Sequence, residues 1–417
     1  MKIKVFLVAG ARPNFMKIAP IYEEMKKHPQ RFEPLIVHTG QHYDENMSKV
    51  FFDDLKLPRP QIYLEAGSGS HAEQTAEIMK HFEPQLLEHR PQMVMVVGDV
   101  NSTIACALCA TKVQIPSENL LRLRQNFEDY LMKRAVAAES PAPDRWQKRS
   151  ETAPLIVHIE AGERSFDFNM PEEVNRVTTD VLSDMLFTTC RDADEHLLAE
   201  GVDARRIFRV GNIMIDSLKK CLKKAEKSQI IHKLNEKYRP AHVQPIRDGE
   251  FALATLHRPG NVDEAATLAT ILSALMRVSV DLPIIIPLHP RTHKLLQKLP
   301  QSLIQKLAVS QLLVTEPVGY LDFLHLQTKA RLVLTDSGGV QVETSYLGIP
   351  CLTLRPTTEW QITLHEGSNT LVPVQEQAIA EAAKKALQRH TGRASSIALW
   401  DGQTAVRIVD YLKQFLM

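Results

Sequence analysis

Residues 332–344 read LVLTDSGGVQVET. A short apolar run meets the polar turn Asp336-Ser337-Gly338-Gly339, and a helix-compatible stretch follows. Glycines there let the backbone approach a ligand closely, and the free N–H groups of a first helical turn would face it. Such a helix start suits an anion, a diphosphate in particular. No Gly-Lys-Ser/Thr follows, so this is not a Walker loop. Glu343, one helical turn on, offers a carboxylate able to accept both hydroxyls of a ribose. A plain glycine-rich turn with a solvated glutamate is the alternative for the stretch taken alone.

The same strand-turn-helix unit recurs on both sides. Upstream, Phe251–Ala254 leads to TLHRPGNVDEA, Ile284–Leu288 to HPRTHK and Leu312–Thr315 to EPVGYLDF; downstream, Cys351–Leu354 leads to RPTTEW. Nearer the N-terminus, Val5–Ala9 leads to GARPN, Leu35–His38 to TGQHYD, Met93–Val97 to GDVNST, Leu155–Ile159 to EAGERS and Leu186–Thr189 to CRDADEH. This succession predicts an α/β protein with two parallel, doubly wound Rossmann-like sheets, residues 1–210 and 211–395, and a ligand cleft between them. The boundary is expected near Arg209–Asn212. Residues 396–417 form a last helix. Ser117–Ala153 breaks the rhythm, because an αβ connection is normally about 2–6 residues. It reads as an insertion, helical over Asn119–Ala138 and irregular around Pro141, Pro143 and Trp146. Leu120, Leu121, Phe127, Tyr130 and Leu131 make an apolar stripe fit to dock on its own domain or on a partner.

Composition narrows the partners. The 417 residues are 44% hydrophobic and 24% charged, with 50 Lys plus Arg against 49 acidic residues. That balance gives no general attraction to nucleic acid or to an anionic membrane surface. No apolar run nears the roughly 20 residues needed to span a bilayer. The opening MKIKVFLVAGARPNF reads as a buried first strand rather than a secretion signal. Five scattered cysteines argue against a disulfide framework and for a reducing, cytoplasmic setting. Cys106 and Cys109 read as small residues on a buried helix face. Without paired Cys/His ligand spacing, no metal is expected.

Charged groups at the ends of buried strands are costly unless paired or used. Asp99 follows MVMVV, and Glu160 ends LIVHI. Glu172 and Glu173 follow Pro171, with Arg176 one turn on. Several carboxylates in one cleft can take different pKa values and serve as acid and base. His257, after FALAT, and His289, before Pro290, add groups that titrate near neutrality. Arg12 and Lys17 flank the first strand-to-helix turn, where either can meet a phosphate or simply lie at the surface.

Taken together, GARPNFMKIAP, HTGQHYD, GDVNST, HIEAGERSFDFNMPEEVNR, TLHRPGNVD, PLHPRT, TDSGGVQVET and RPTTEWQITLHEGSNTLV resemble the non-hydrolysing UDP-N-acetylglucosamine 2-epimerases, in the family's order and over nearly all the chain except Ser117–Ala153. The resemblance implies a GT-B architecture, a C-terminal helix returning to the first domain, a homodimer, no cofactor, and a role in supplying cell-envelope polysaccharide. It implies catalytic roles for Asp99, Glu160, Glu172 and His257. It implies substrate contacts from Arg12, Lys17, Arg176, His289, Ser337, Gly338, Gly339 and Glu343, with Phe323 beside the uracil. The implied chemistry eliminates UDP to give 2-acetamidoglucal, then adds UDP back with C2 protonated on the other face.

Some positions depart from the family pattern. Tyr43 in QHYD and the GSGSH stretch at Gly67–His71 argue against the allosteric substrate site of many bacterial members. Glu163, Trp360 and Val342 replace the common Leu, Arg and Glu, and point to a modified sugar. Competing readings are a hydrolysing epimerase releasing N-acetylmannosamine, a GT-B glycosyltransferase, and a non-catalytic nucleotide-sugar binding protein.

Overall fold

The computed structural model describes residues 1–40, 57–134, 150–288, 290–388 and 396–416. Long apolar runs become strands because both faces of a helix-covered parallel sheet exclude water. The chain divides into two compact units: Met1–Ser217 with Ala398–Met417, and Leu218–Ile397.

In the first unit the strands are β1 (Ile3–Ala9), β2 (Phe32–His38), β3 (Ile62–Tyr63), β4 (Met93–Val97), β5 (Leu155–Ala161), β6 (Met185–Thr188) and β7 (Ile207–Arg209). They lie in the order β3-β2-β1-β4-β5-β6-β7, all parallel. The order reverses between β1 and β4, the switch point at which open α/β sheets bind ligands beyond the strands' carboxyl ends. Phe6, Val94 and Val96 pack there against Phe82 and Leu86 of the helix His71–His89.

Two additions complete this unit. In the insertion, Ser117 Oγ caps the helix Glu118–Lys133, accepting from Leu120 N at 3.2 Å. Leu120, Leu123, Phe127 and Leu131 are buried, Tyr130 is half-buried, and Leu121 faces solvent. Phe127 meets Phe415 at 5.3 Å and Tyr130 stacks on Phe208 at 6.3 Å, so the stripe docks on its own unit. Arg124 donates to the carbonyls of Ala153 (2.6 Å) and Pro154 (2.9 Å), just before β5. Pro141, Pro143 and Trp146 lie outside the described residues. The C-terminal helix Thr404–Gln414 is capped from a distance: Asp216 accepts from Thr404 N (3.2 Å) and Ala405 N (2.9 Å). Gly211, at φ +93°, is required because a Cβ there would run into the Leu399 carbonyl. Ser217 Oγ donates to Met16 O, which carries the unit past Arg209–Asn212 to Ser217.

The second unit carries β8 (Ala252–Thr255), β9 (Ile284–Pro287), β10 (Leu312–Thr315), β11 (Leu332–Thr335), β12 (Cys351–Thr353) and β13 (Asn369–Leu371). Their order is β10-β9-β8-β11-β12-β13, again all parallel, with the reversal between β8 and β11. One core face packs Leu268, Ile271 and Leu275 of the helix Ala265–Ser279 on the sheet; the other gathers Phe251, Leu313 and Leu326. Both sheets match the α/β reading. The strands β3, β7 and β13 escape the sequence pattern because runs of two or three residues show no period. Among the described residues no helix is long and apolar enough to cross a membrane.

Candidate functional site

Beyond β4 the chain turns at Gly98, whose φ is +65°. A Cβ at Gly98 would sit 2.8 Å from Lys17 Nζ and 3.7 Å from Glu160 Oε1, so only glycine lets these two groups approach the turn. Lys17 Nζ bonds Glu160 Oε1 at 2.5 Å, with both side chains buried. Glu160 has φ +72°, and the β5–β6 register slips between Ile159 and Ala161. A bulge re-aims a side chain, and a left-handed non-glycine residue costs on the order of 1–3 kcal/mol. Glu160 Oε2 is buried and has no hydrogen-bond partner among the described residues. Burial pushes the Glu160 pKa up, Lys17 opposes this, and Asp99 adds to it.

Asp99 is part-exposed and pairs with Arg176 at 2.6 Å. Asn175 Nδ2 holds the Asp99 carbonyl at 2.9 Å. Arg176 also bonds Glu173, which is fully buried. Glu173 accepts from the N–H groups of Ser165 (3.0 and 3.1 Å) and Phe166 (2.8 Å), and from Ser165 Oγ (2.9 Å). It therefore fastens the loop before the helix Pro171–Leu182. Its neighbour Glu172 is half-buried and has no hydrogen-bond or ion-pair partner among the described residues. Asn14 shapes the first turn, accepting from Gly10 N (3.1 Å) and Ala11 N (2.9 Å). Arg12 opens the helix Arg12–Lys26; its side chain lies outside the described residues.

In the second unit His257 follows β8 and Asp336 follows β11, the two strands at the switch point. Asp336 is fully buried and receives His257 Nδ1 (2.7 Å), His257 N (3.0 Å), Arg258 N (3.1 Å) and Asn261 Nδ2 (3.0 Å). Burial alone would raise its pKa, yet these donors hold it below the usual carboxylate range. The His257 side chain is 55% exposed, so a ring held at Nδ1 presents Nε2 outward. Ser337 precedes the helix Gly338–Leu347 and makes no side-chain cap. A Cβ at Gly338 would run into Glu359 Oε1 and lie 3.1 Å from Trp360 Nε1, so the backbone is packed on these groups. Glu343 is buried and accepts from Tyr320 OH at 2.8 Å. Burial pushes its pKa up to about 7, against the opposing Tyr320 bond.

The remaining positions are distributed as follows. Phe323 is half-buried against the core that contains Phe251 and Leu326. His289 and Gln41–Asp44 lie outside the described residues. In GSGSH, Ser70 and Glu73 cap the helix His71–His89 reciprocally, which gives that stretch a local structural task. Glu163 is buried and accepts from Thr189 Oγ1; Val342 and Trp360 are also buried. Asp336, Gly98 and Asn14 are absent from the sequence-derived site. Their signal was position: Gly98 and Asp336 stand in turns after strands and Asn14 in the first turn of the helix after β1, in motifs already noted for other residues.

Two helix-flanked parallel units of this topology constitute a GT-B-like fold, with paired carboxylates ending one sheet and a glycine-opened helix ending the other. The family described as UDP-N-acetylglucosamine 2-epimerase matches residues 23–117 and 153–413, leaving out most of the insertion, and the chain belongs to that family. A UDP-N-acetylglucosamine 2-epimerase homolog of Methanococcus maripaludis is 39% identical over 99% of each chain. The UDP-2,3-diacetamido-2,3-dideoxy-D-glucuronate 2-epimerase of Pseudomonas aeruginosa is 35% identical, over 98% of this chain and 99% of its own. The solved UDP-GlcNAc 2-epimerase of Methanocaldococcus jannaschii, in complex with UDP-GlcNAc and UDP, is 36% identical. It superposes with a TM-score of 0.77 over 98% of this chain and 100% of its own.

Proposed function

We propose that the enzyme interconverts UDP-N-acetylglucosamine and UDP-N-acetylmannosamine without net hydrolysis. The C2 proton has no adjacent carbonyl, so direct removal and return is slow. Elimination removes the C2 proton, breaks the C1–O bond to UDP and leaves 2-acetamidoglucal. Re-addition forms the C1–O bond again and protonates C2 on the opposite face. The chain needs a base, an acid and a means of holding departing UDP. Glu160, Asp99 and Glu172 serve the first two needs. Lys17, Arg12, Arg176, His257 and the Ser337–Gly339 turn serve the third, with His289 and Phe323 at the nucleotide and Glu343 at the ribose. The observation that carries this reading is Glu160: a buried carboxylate with one oxygen on Lys17 and the other without a partner among the described residues. An anion so placed is ready to accept a proton. We place the enzyme in the cytoplasm, as a homodimer that uses no cofactor and no metal.

In deuterium oxide, the purified enzyme with UDP-N-acetylglucosamine should yield both epimers carrying deuterium at C2, seen by NMR. Accumulation of free N-acetylmannosamine as the main product would replace this reading with the hydrolysing one. UDP-2,3-diacetamido-2,3-dideoxy-D-glucuronate, the substrate in the name of the Pseudomonas relative, is the comparison substrate for kcat/KM.

A further inference from the structure

We infer that His158 is a buried imidazolium which, by donating from both ring nitrogens, positions the turn that carries Asp99. His158 lies on β5, two residues before Glu160, and is fully buried. Its Nε2 is 2.9 Å from the Gly98 carbonyl oxygen, an atom that can only accept. Its Nδ1 is 2.6 Å from Asp180 Oδ1. The other Asp180 oxygen receives Gly162 N at 3.1 Å and an Arg164 guanidinium nitrogen at 2.7 Å. Burial alone would raise the Asp180 pKa, but His158 and Arg164 hold it below the ordinary carboxylate value. Both ring nitrogens therefore face acceptors.

Asp180 is in turn held by Arg164. Arg164 is buried and forks onto Glu200 with two bonds of 2.7 Å.

The consequence falls on the turn. Gly98 donates its N–H to the Ile159 carbonyl at 3.1 Å, and its own carbonyl takes the His158 proton. β5 thus holds the turn from both sides. The next residue, Asp99, then meets Arg176. His158 touches no reacting atom, so it is a positioning residue, and its catalytic consequence rests on the epimerase reading above. Its protonation does not.

The first test is NMR of the full chain with nitrogen-15-labelled histidine at neutral pH. Wild-type His158 should carry a proton on both ring nitrogens. In Asp180→Asn the amide NH2 would face Nδ1, and that nitrogen alone should lose its proton. A bare ring nitrogen in the wild type overturns the inference whatever the activity. The second test is kinetic. His158→Gln keeps a donor for Gly98 but turns its amide oxygen on Asp180; kcat should fall roughly 10- to 100-fold with KM within about threefold, the scale of a displaced catalytic group. His158→Gln with Asp180→Asn restores a donor to that oxygen and should recover most of kcat, which loss of packing alone would not allow. Unchanged kcat in the single variant, or no recovery in a folded double variant, removes the positioning role. A wild type that shows both protons but does not epimerise the sugar nucleotide overturns only the catalytic consequence.

Discussion

At the end of β5 a glutamate is sealed against a lysine, while at the end of β11 two glycines open a helix whose first N–H groups make no side-chain cap. The first unit gathers full charges at its switch point: Asp99, Glu160, Glu173, Lys17 and Arg176, mostly buried and cross-paired. The second offers backbone N–H groups, an outward-facing histidine and one buried aspartate that fixes it. Buried charges with distinct partners acquire distinct proton affinities, which suits acid–base work. Backbone donors cannot titrate, and they suit an anion that must be held and released unchanged. On the proposed reading, the contrast puts the acid–base work in the first unit and most of the nucleotide contacts in the second.

The largest test of that division is Glu160→Gln, which keeps the shape and removes the charge. Turnover should fall by roughly 10²–10⁴, the scale of a lost acid–base group. UDP affinity, measured by calorimetry, should stay within about threefold, because phosphate contacts are spread over other groups. A variant with near-normal turnover would break the division at its centre. Gly338→Ala should do the reverse. The added carbon meets Glu359 and Trp360, displaces the helix start and should weaken UDP about 10- to 100-fold, the cost of one or two charge-assisted bonds. The shift in melting temperature on adding UDP should shrink accordingly. Unchanged UDP affinity in a folded Gly338→Ala would show that the anion sits elsewhere.

A subtler effect follows from Glu343, whose folded pKa is raised to about 7 by burial. For a carboxyl raised on folding, the stabilising contribution is complete below the unfolded value and is lost as pH rises through the folded one. Wild-type melting temperature should therefore lose a few degrees between about pH 4.5 and 7 relative to Glu343→Gln, on the scale of a single-group effect. If Glu343 receives the ribose hydroxyls as a carboxylate, UDP binding near neutral pH should also release protons. Calorimetry in buffers of different ionisation heat would show it. Parallel melting curves for the two proteins would show that folding does not raise the Glu343 pKa, and proton-neutral binding would remove a raised Glu343 from the ribose.

Much of this was legible in the chain because buried parallel strands are continuous apolar runs, and the first polar residue after each run marks the sheet's ligand edge. Asp99, His257 and the Ser337–Gly339 turn were found that way. What stayed hidden depends on contacts between distant residues. Glu172 and Glu173 look equivalent in PEEVNR, yet one is half-buried with no partner among the described residues, and the other is spent on the Ser165–Phe166 backbone. The left-handed backbone of Glu160 carries no glycine to announce it. His158 and Asp180 meet across 22 positions of sequence, one on a strand and one on a helix, so no local motif contains both.

The insertion should have the smallest effect on catalysis. Arg124 holds the carbonyls of Ala153 and Pro154, so the helix Glu118–Lys133 is tied to the amino end of β5. Glu160 lies at the other end of that strand. Phe127 packs on Phe415, and Tyr130 on Phe208 and Phe415, sealing the C-terminal segment onto its unit. Phe127→Ala leaves a cavity under this seal and should cost about 3–5 kcal/mol of unfolding free energy, the usual price of a buried aromatic. In the protein that remains folded, kcat/KM should stay within about threefold, well under 1 kcal/mol of barrier. Urea unfolding monitored together with initial rates separates the two quantities. A folded Phe127→Ala enzyme slowed by orders of magnitude would mean that the amino end of β5 controls its carboxyl end, and the helix could no longer be treated as remote from the chemistry.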